Sequence, residues 1–430
     1  MRLTSELLSR LNTPCYVLEE ERLLANAKIL AGVQTRTGCK ILLAQKAFSN
    51  YAVYPLLAPY LAGTEASGLY EARLGWEEMP GKECHVFCAA YRAQEFSSLL
   101  QYADHIVFNS ISQLQQFGAH AKAAGKEVGL RINPMCSTQT HAIYDPCAPG
   151  SRLGVTKEQW DAEMTPTLFS LLDGLHFHTL CEQNSDALKV TLAAVEEQFG
   201  AVLSQMRWLN FGGGHHITRP DYDLLCLEQC IVHMRDTYGL QIYLEPGEAV
   251  ALRAGYLVTQ VLDIVQNGIS IAILDTSAAC HMPDVLEMPY TPPLYGALPL
   301  SDFTKDTDTD PSYPQQSTGK KERTDGTVFS VQPSANEMKT QTCQDAQTAG
   351  YVYRLGGPTC LSGDIIGDYR LKHPLHRGDK LVFEDMAIYT TVKNNTFNGM
   401  PLPDICLLRC DGTIETLRSF GYEDFKGRLS

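Results

Sequence analysis

Nowhere in the 430 residues does an apolar run approach the ~20 residues that a membrane-spanning helix needs. Basic residues are in deficit, with 35 Lys and Arg against 49 Asp and Glu, a formal net charge of −14. That balance argues against a nucleic-acid partner, because phosphates must be met by clustered cations. It agrees instead with a cationic ligand drawn in by a negative field. The fourteen cysteines include no CxxC pair and no regular spacing. Reduced thiols are therefore expected, with neither a disulfide framework nor a metal site. The opening MRLTSELLSRLNTPCYVL interrupts with charges what a secretory signal would keep apolar. The expectation is a cytoplasmic protein with no membrane partner.

What is present is an ordinary globular composition, 44% apolar, in a chain long enough for two cores. Between residues 40 and 247, short β-rich runs alternate with longer helical patterns. KILLA (40–44), TEAS (64–67), CHVFC (84–88), HIVFN (105–109), EVGLRI (127–132), GLHFH (174–178), RWLNF (207–211) and IYLEP (242–246) read as strands. Across 185–206, Leu188, Leu192, Val195, Phe199 and Leu203 recur at helical spacing. Eight strands alternating with helices predict a (β/α)8 barrel over 22–255.

Outside that block the pattern changes. TPCYVLEE near the start, then YLVTQVLDIV, SIAILDTS, DKLVFEDMAIYTTV and DICLLRC after residue 255, all read as strands. They predict a mostly β domain assembled from 1–21 and 256–430. Residues 299–347 stand apart, being rich in Ser, Thr, Asp, Gln and Pro without apolar spacing. Such a composition predicts a solvated, disordered insertion. Its DTDTD run lacks the Gly and Glu that a calcium loop places at fixed distances, so it reads as a solvated acidic stretch.

The residues with chemical potential gather at the C-terminal ends of the expected barrel strands, where barrel active sites are built. Lys46 follows the first strand, His178 ends the sixth, Gly212, Gly213 and Gly214 follow the seventh, and Glu245-Pro246-Gly247 end the eighth. Each alone is weak: a lysine after a strand is usually solvated, a lone histidine is usually packed, and three glycines can be a turn. Together they have a logic. Bare backbone amides can receive a phosphate, a carboxylate can keep a heteroaromatic nitrogen protonated, and an imidazole can lie on a flat ring. A nucleophilic lysine can form a Schiff base with an aldehyde. Those are the handles of pyridoxal 5'-phosphate.

On these segments the chain resembles the alanine-racemase-fold decarboxylases (fold type III of the pyridoxal-phosphate enzymes), a group that includes the ornithine, diaminopimelate and carboxynorspermidine decarboxylases. TPCYVLEE, KILLAQKAFS, FHTLCEQ, LNFGGGHH, LEPGEAV, LDTSAACHMPDVLEMPY, YRLGGPTCLSGD and FEDMAIYT are most similar to the carboxynorspermidine/carboxyspermidine branch. The resemblance spans nearly the whole chain outside the insertion. It implies that Lys46 carries the cofactor, that His178 stacks on its ring and that Glu245 pairs with the ring nitrogen. The three glycines and Tyr389 would hold the phosphate. Cys360 would return a proton after carbon dioxide leaves, and Asp364 would lie near the substrate's distal amine. A homodimer is implied too, with GGPTC reaching the cofactor of the partner chain.

One departure bears on substrate. Ornithine- and diaminopimelate-type enzymes generally carry Arg after EPG, whereas this chain has Glu248. An acid there makes little sense beside a phosphate and good sense beside a cationic amine. Cys181 likewise stands where relatives often carry Ser. With Asp284 in HMPDVLEMPY, Glu248 is expected to bind the amines of a small polyamine-type substrate. The implied reaction is decarboxylation of carboxynorspermidine or carboxyspermidine in polyamine biosynthesis. The rivals are a diaminopimelate- or ornithine-type decarboxylase, a racemase, and a non-catalytic regulator of the same fold, which would be expected to have lost Lys46 or Cys360.

Overall fold

In the computed structural model, which describes residues 3–139, 145–300 and 350–430, a short helix (Ser5–Arg10) precedes strand β1 (Cys15–Glu19). Parallel strands separated by helices follow: β2 (Lys40–Ala44), β3 (Gly63–Ala66), β4 (Glu83–Phe87), β5 (His105–Phe108) and β6 (Glu127–Asn133). After a two-residue strand, β7 (Val155–Thr156), come β8 (Gly174–His176), β9 (Trp208–Asn210) and β10 (Gln241–Leu244). Neighbours run β5-β4-β3-β2-β10-β9-β8-β6, and β5 also pairs with β6, so eight strands close into a barrel. β7 merely extends the rim of β6.

The strands are apolar on both faces because helices cover one and the barrel interior covers the other. Ile41, Leu42 and Leu43 are fully buried, as are Ile106 and Phe108. The helix Ser185–Leu203 turns Leu188, Leu192, Val195, Phe199 and Leu203 inward, the stripe its spacing predicts. Inside the barrel, Trp208 packs with Leu42, Val107 and Tyr243. Gly174 leaves room for that indole, since a Cβ there would lie 2.0 Å from it. The lower barrel is therefore filled around Trp208, on the side away from the strand C-termini.

The second domain is a mixed sheet of β11 (Gly255–Asn267), β12 (Ile269–Leu274), β13 (Ala297–Pro299), β14 (Tyr351–Gly356), β15 (Ile365–Leu371), β16 (Lys380–Glu384), β17 (Asp404–Leu408) and β18 (Ile414–Arg418). β1 joins it, antiparallel to β11 and parallel to β17. This is the alanine-racemase-like architecture. The compositionally distinct stretch 299–347 lies outside the described residues apart from its first two.

The strand expected through DMAIYTTV stops at Glu384. Asp385 and Tyr389 both take left-handed backbone conformations, with φ of 59° and 58°, and Thr390–Lys393 form one helical turn. What breaks the strand is docking onto the barrel: the Tyr389 N–H donates to the Ala47 carbonyl at 2.8 Å. The β domain thus reaches the loop that carries Lys46.

Candidate active site

A cavity of about 220 Å3 opens at the C-terminal mouth of the barrel, with Lys46, His178, Glu182, Glu245, Glu248 and Tyr389 in its walls. Lys46 stands two residues past β2 in a loop pinned on both sides. Gln45 N–H donates to the Glu65 carbonyl at 3.0 Å, while the Ala47 carbonyl receives Tyr389. The Lys46 amine makes no hydrogen bond to another described residue. A larger hollow of about 410 Å3, lined by Asn109, Arg152 and Thr156 among others, holds no lysine or histidine and none of the expected site residues.

Strand geometry explains the opposite wall. Successive side chains alternate faces, so His176 and His178 project the same way, in adjacent layers. His176 lies one layer down, its Nε2 3.1 Å from Glu245 Oε2, and Asn210 Nδ2 donates to Glu245 Oε1 at 2.6 Å. Burial alone would raise the Glu245 carboxyl, but His176 and Asn210 bring it below the usual range. It is therefore ionised at neutral pH. His176 serves as its donor through Nε2–H, which leaves its buried Nδ1 without a partner.

His178 is neutral, because burial first, then Lys46 and Arg131, hold its pKa well below the usual value. Its Nδ1 accepts from the Gly213 N–H at 3.2 Å, and Arg131 Nη2 donates to its carbonyl at 2.9 Å. A neutral, anchored imidazole suits a flat ring laid against it.

The glycine turn is kept bare by its surroundings. Gly212 and Gly214 have φ of 70° and 81°. A Cβ on Gly213 would lie 2.7 Å from the Glu245 carbonyl oxygen, and one on Gly214 would lie 2.0 Å from that of Leu180. No side chain can enter. The Gly212 N–H donates to Asn210 Oδ1 at 2.9 Å and the Gly213 N–H to His178, which leaves the Gly214 N–H as the amide of this turn with no hydrogen bond to a described residue. Tyr389 supplies a hydroxyl, kept protonated by burial and then by the Glu248 charge. Amine, neutral imidazole, ionised carboxylate and bare glycine turn around one cavity fit pyridoxal phosphate.

Three expected residues lie elsewhere. Cys360 is exposed, with its N–H held by Asn398 Oδ1 at 2.9 Å, and is not in the cavity wall of its own chain. Asp364 is 3% exposed. Its oxygens accept from Ser277 Oγ at 3.0 Å, the Ala279 N–H at 3.3 Å and Thr359 Oγ1 at 2.6 Å. In this chain it fastens the GGPTC loop to the segment before the Asp284–Glu287 helix. Asp284 is bonded to Lys393. Glu248 does line the cavity, bonded to His216.

Sequence reasoning missed several groups. Glu65 is buried beside Glu245 with Oε2 unpartnered. Burial, then the Glu245 charge, raise its carboxyl well above the usual value, so it carries a proton. Glu182, at φ 53°, shares the cavity wall. Its carboxyl is raised by burial and then by Glu248. Glu182, His216 and Glu248 place side-chain ligand atoms within 4.8 Å of one another. For His176 the signal was available in the i, i+2 spacing of HFH; for Glu65 and Lys393 only the fold reveals the neighbours.

Among family models, residues 15–387 match the pyridoxal-dependent decarboxylase, C-terminal sheet domain. The carboxynorspermidine/carboxyspermidine decarboxylase of Campylobacter jejuni is 38% identical, the match covering 97% of this chain and 99% of that one. The carboxyaminopropylagmatine decarboxylase of Synechocystis is 39% identical over 98% and 96%. The crystal structure of Campylobacter jejuni carboxynorspermidine decarboxylase complexed with norspermidine superposes with a TM-score of 0.80 at 37% identity, covering 97% of this chain and 100% of that one.

Proposed function

This chain belongs to the pyridoxal-dependent decarboxylases, and from that premise we propose that its substrate is carboxynorspermidine or carboxyspermidine. Loss of the α-carboxylate as carbon dioxide, with uptake of one proton by the same carbon, yields norspermidine or spermidine. The observation that carries this reading is the charge of the cavity wall. Glu182 and Glu248 line it beside Met288 and Tyr389, and Lys46 is the only lysine or arginine among the described lining residues. A short amino acid does not need those acids, whereas a chain with secondary and terminal ammonium groups needs carboxylates along its length.

Pyridoxal phosphate, when bound, supplies the electron sink for the bond that breaks. Lys46 would hold its aldehyde carbon, Glu245 would keep its ring nitrogen protonated, and His178 would lie against its ring. The Gly214 amide and the Tyr389 hydroxyl would receive its phosphate, and the bare turn at Gly212 and Gly213, whose own amides are held by Asn210 and His178, would give it room. Glu248 would bind the substrate's nearer amine and Asp284 the distal one, while Asp364, its oxygens taken by Ser277, Ala279 and Thr359, would hold the GGPTC loop instead.

Cys360 Sγ would deliver the proton from a second copy of the chain. Supporting that arrangement, Cys360 lies outside its own chain's cavity, and its neighbours Leu361 and Phe397 are 42% and 49% exposed. An apolar surface around a proton donor suits a homodimer with shared sites.

The Synechocystis relative favours a second reading, a substrate with a distal guanidinium in place of an ammonium. Carbon dioxide release from carboxynorspermidine, carboxyspermidine, carboxyaminopropylagmatine, diaminopimelate and ornithine separates these. Turnover confined to the last two would overturn the polyamine assignment.

A further inference from the structure

Asp284 opens the helix Asp284–Glu287, and its carbonyl receives the Met288 N–H at 2.8 Å; Met288 lines the cavity. Across the mouth, Lys393 closes the helical turn after Tyr389, another lining residue. The Lys393 ammonium bridges these two walls. It bonds Asp284 Oδ1 and lies 2.8 Å from Glu287 Oε2 and 5.8 Å from the centre of the Tyr389 ring. The carboxylate expected to receive a substrate amine already has a cation of its own.

We propose that Lys393 is a resident counter-ion at Asp284, holding in the free enzyme the place that the substrate's distal cation takes in the complex. This rests on the polyamine reading. Two carboxylates with one ammonium leave one negative charge over. The site is therefore neither closed to a second cation nor, when empty, burdened with two uncompensated acids. An arriving distal ammonium or guanidinium must share or displace the Lys393 bond, so its net gain is smaller than a bare acid would give. A ligand too short to reach Asp284 leaves the Lys393 bridge intact and gains nothing from it. Lys393 thus weakens the binding of long polyamines while keeping the two walls aligned for them.

The test is calorimetric binding of norspermidine and spermidine to the cofactor-loaded enzyme, with thermal melting and the cofactor absorbance as controls for folding. Lys393→Met should bind both roughly two- to fivefold more tightly, the worth of a half-exposed ion pair. Lys393→Arg, which restores the competing cation, should match the wild type. Asp284→Asn should weaken binding, and adding Lys393→Met to it should bring no gain. Unchanged or weaker binding in Lys393→Met with intact absorbance overturns the proposal. If the polyamines bind and Asp284→Asn leaves their affinity unchanged, this inference falls and the polyamine reading stands. If neither polyamine binds the wild type, both fall.

Discussion

Lys40 and Lys46 stand at opposite ends of one barrel strand, and each belongs to a cluster of acids and histidines. At the N-terminal end, Lys40 bonds Glu83, whose other oxygen lies 3.2 Å from His85 Nε2. The His85 and His105 rings stack with centroids 3.7 Å apart, and Tyr243 closes over Lys40 at 5.4 Å. At the C-terminal end, Lys46 faces Glu65, Glu245, His176 and His178 around open space. The residue types are nearly the same, and the lower cluster too leaves the buried Nδ1 of His85 and of His105 without a partner, but there Trp208 and Tyr243 fill the space. The upper one keeps a lysine with no hydrogen bond to another described residue, a bare glycine turn and a cavity. Composition alone does not mark a site; unspent bonding capacity around a void does.

The largest expected effect comes from the upper end. Lys46→Ala should abolish the borohydride-reducible cofactor adduct and bring carbon dioxide release to background. An adduct persisting on another lysine would move the centre elsewhere. Glu245→Gln should retain the fold, since Asn210 and His176 can still bond an amide, while turnover falls on the order of a hundredfold or more for want of the fixed charge.

On the proposed shared site, the upper end takes its proton donor from a second chain, as the lower does not. Lys46→Ala and Cys360→Ala proteins, each inactive, should regain roughly a quarter of wild-type activity when mixed and allowed to exchange subunits, because half the dimers would then hold one intact site. No recovery despite demonstrated exchange would place both residues in a single chain's site.

Much of this was legible in the residues. All eight barrel strands coincide with the apolar runs to within a few residues, because parallel strands buried on both faces have little choice of composition. The glycine run and EPG identified their own turns. The β domain was harder to read. Ile365–Leu371 and Ile414–Arg418 mix polar and apolar residues, as strands with an exposed face do, and escaped notice. Tyr389 was read inside a strand because a left-handed tyrosine is set by docking on Ala47, a contact far away in sequence. Nor can spacing disclose that Asp364 is consumed by Ser277 and Thr359, or that Asp284 meets Lys393.

A smaller effect sharpens the contrast at the lower end. Burial, then His85, push His105 down to about 2. For Glu83, burial would raise the carboxyl, but His85 and Lys40 bring it to about 2. Both pKa values are lower in the folded than in the unfolded state, so at acid pH the unfolded chain binds the extra protons. Stability is then greatest above pH ~6.5 and declines as pH falls, with His105 alone removing about 2 kcal/mol by pH 5 and Glu83 adding its share below ~4.5. His215 and His281, each pushed down to about 4 chiefly by burial, add to the same decline. His105→Phe should flatten the acid limb of a plot of denaturation midpoint against pH. Parallel limbs in wild type and variant would show that the stacked pair does not titrate on unfolding.

The smallest effect is expected from Lys40→Met, the counterpart of the Lys46 change six positions along the same chain. Lys40 is 38% exposed and Glu83 30%, so their bond is screened by water and offset by the cost of ordering a long side chain. Its loss should cost about 1 kcal/mol or less. Methionine retains the stem that packs on Tyr243, and Glu83 keeps His85 as a donor. Among the described residues no hydrogen bond joins this end to the upper cavity, and Trp208 and Tyr243 pack inside the barrel; His85, which helps lower the Glu245 carboxyl, is retained in the variant. Turnover and cofactor absorbance should therefore stay within about twofold of wild type, as for sites with no shared hydrogen-bond partner. A large loss of either would mean that the two clusters communicate through the packed barrel, and the distinction between a filled end and a working end would fail.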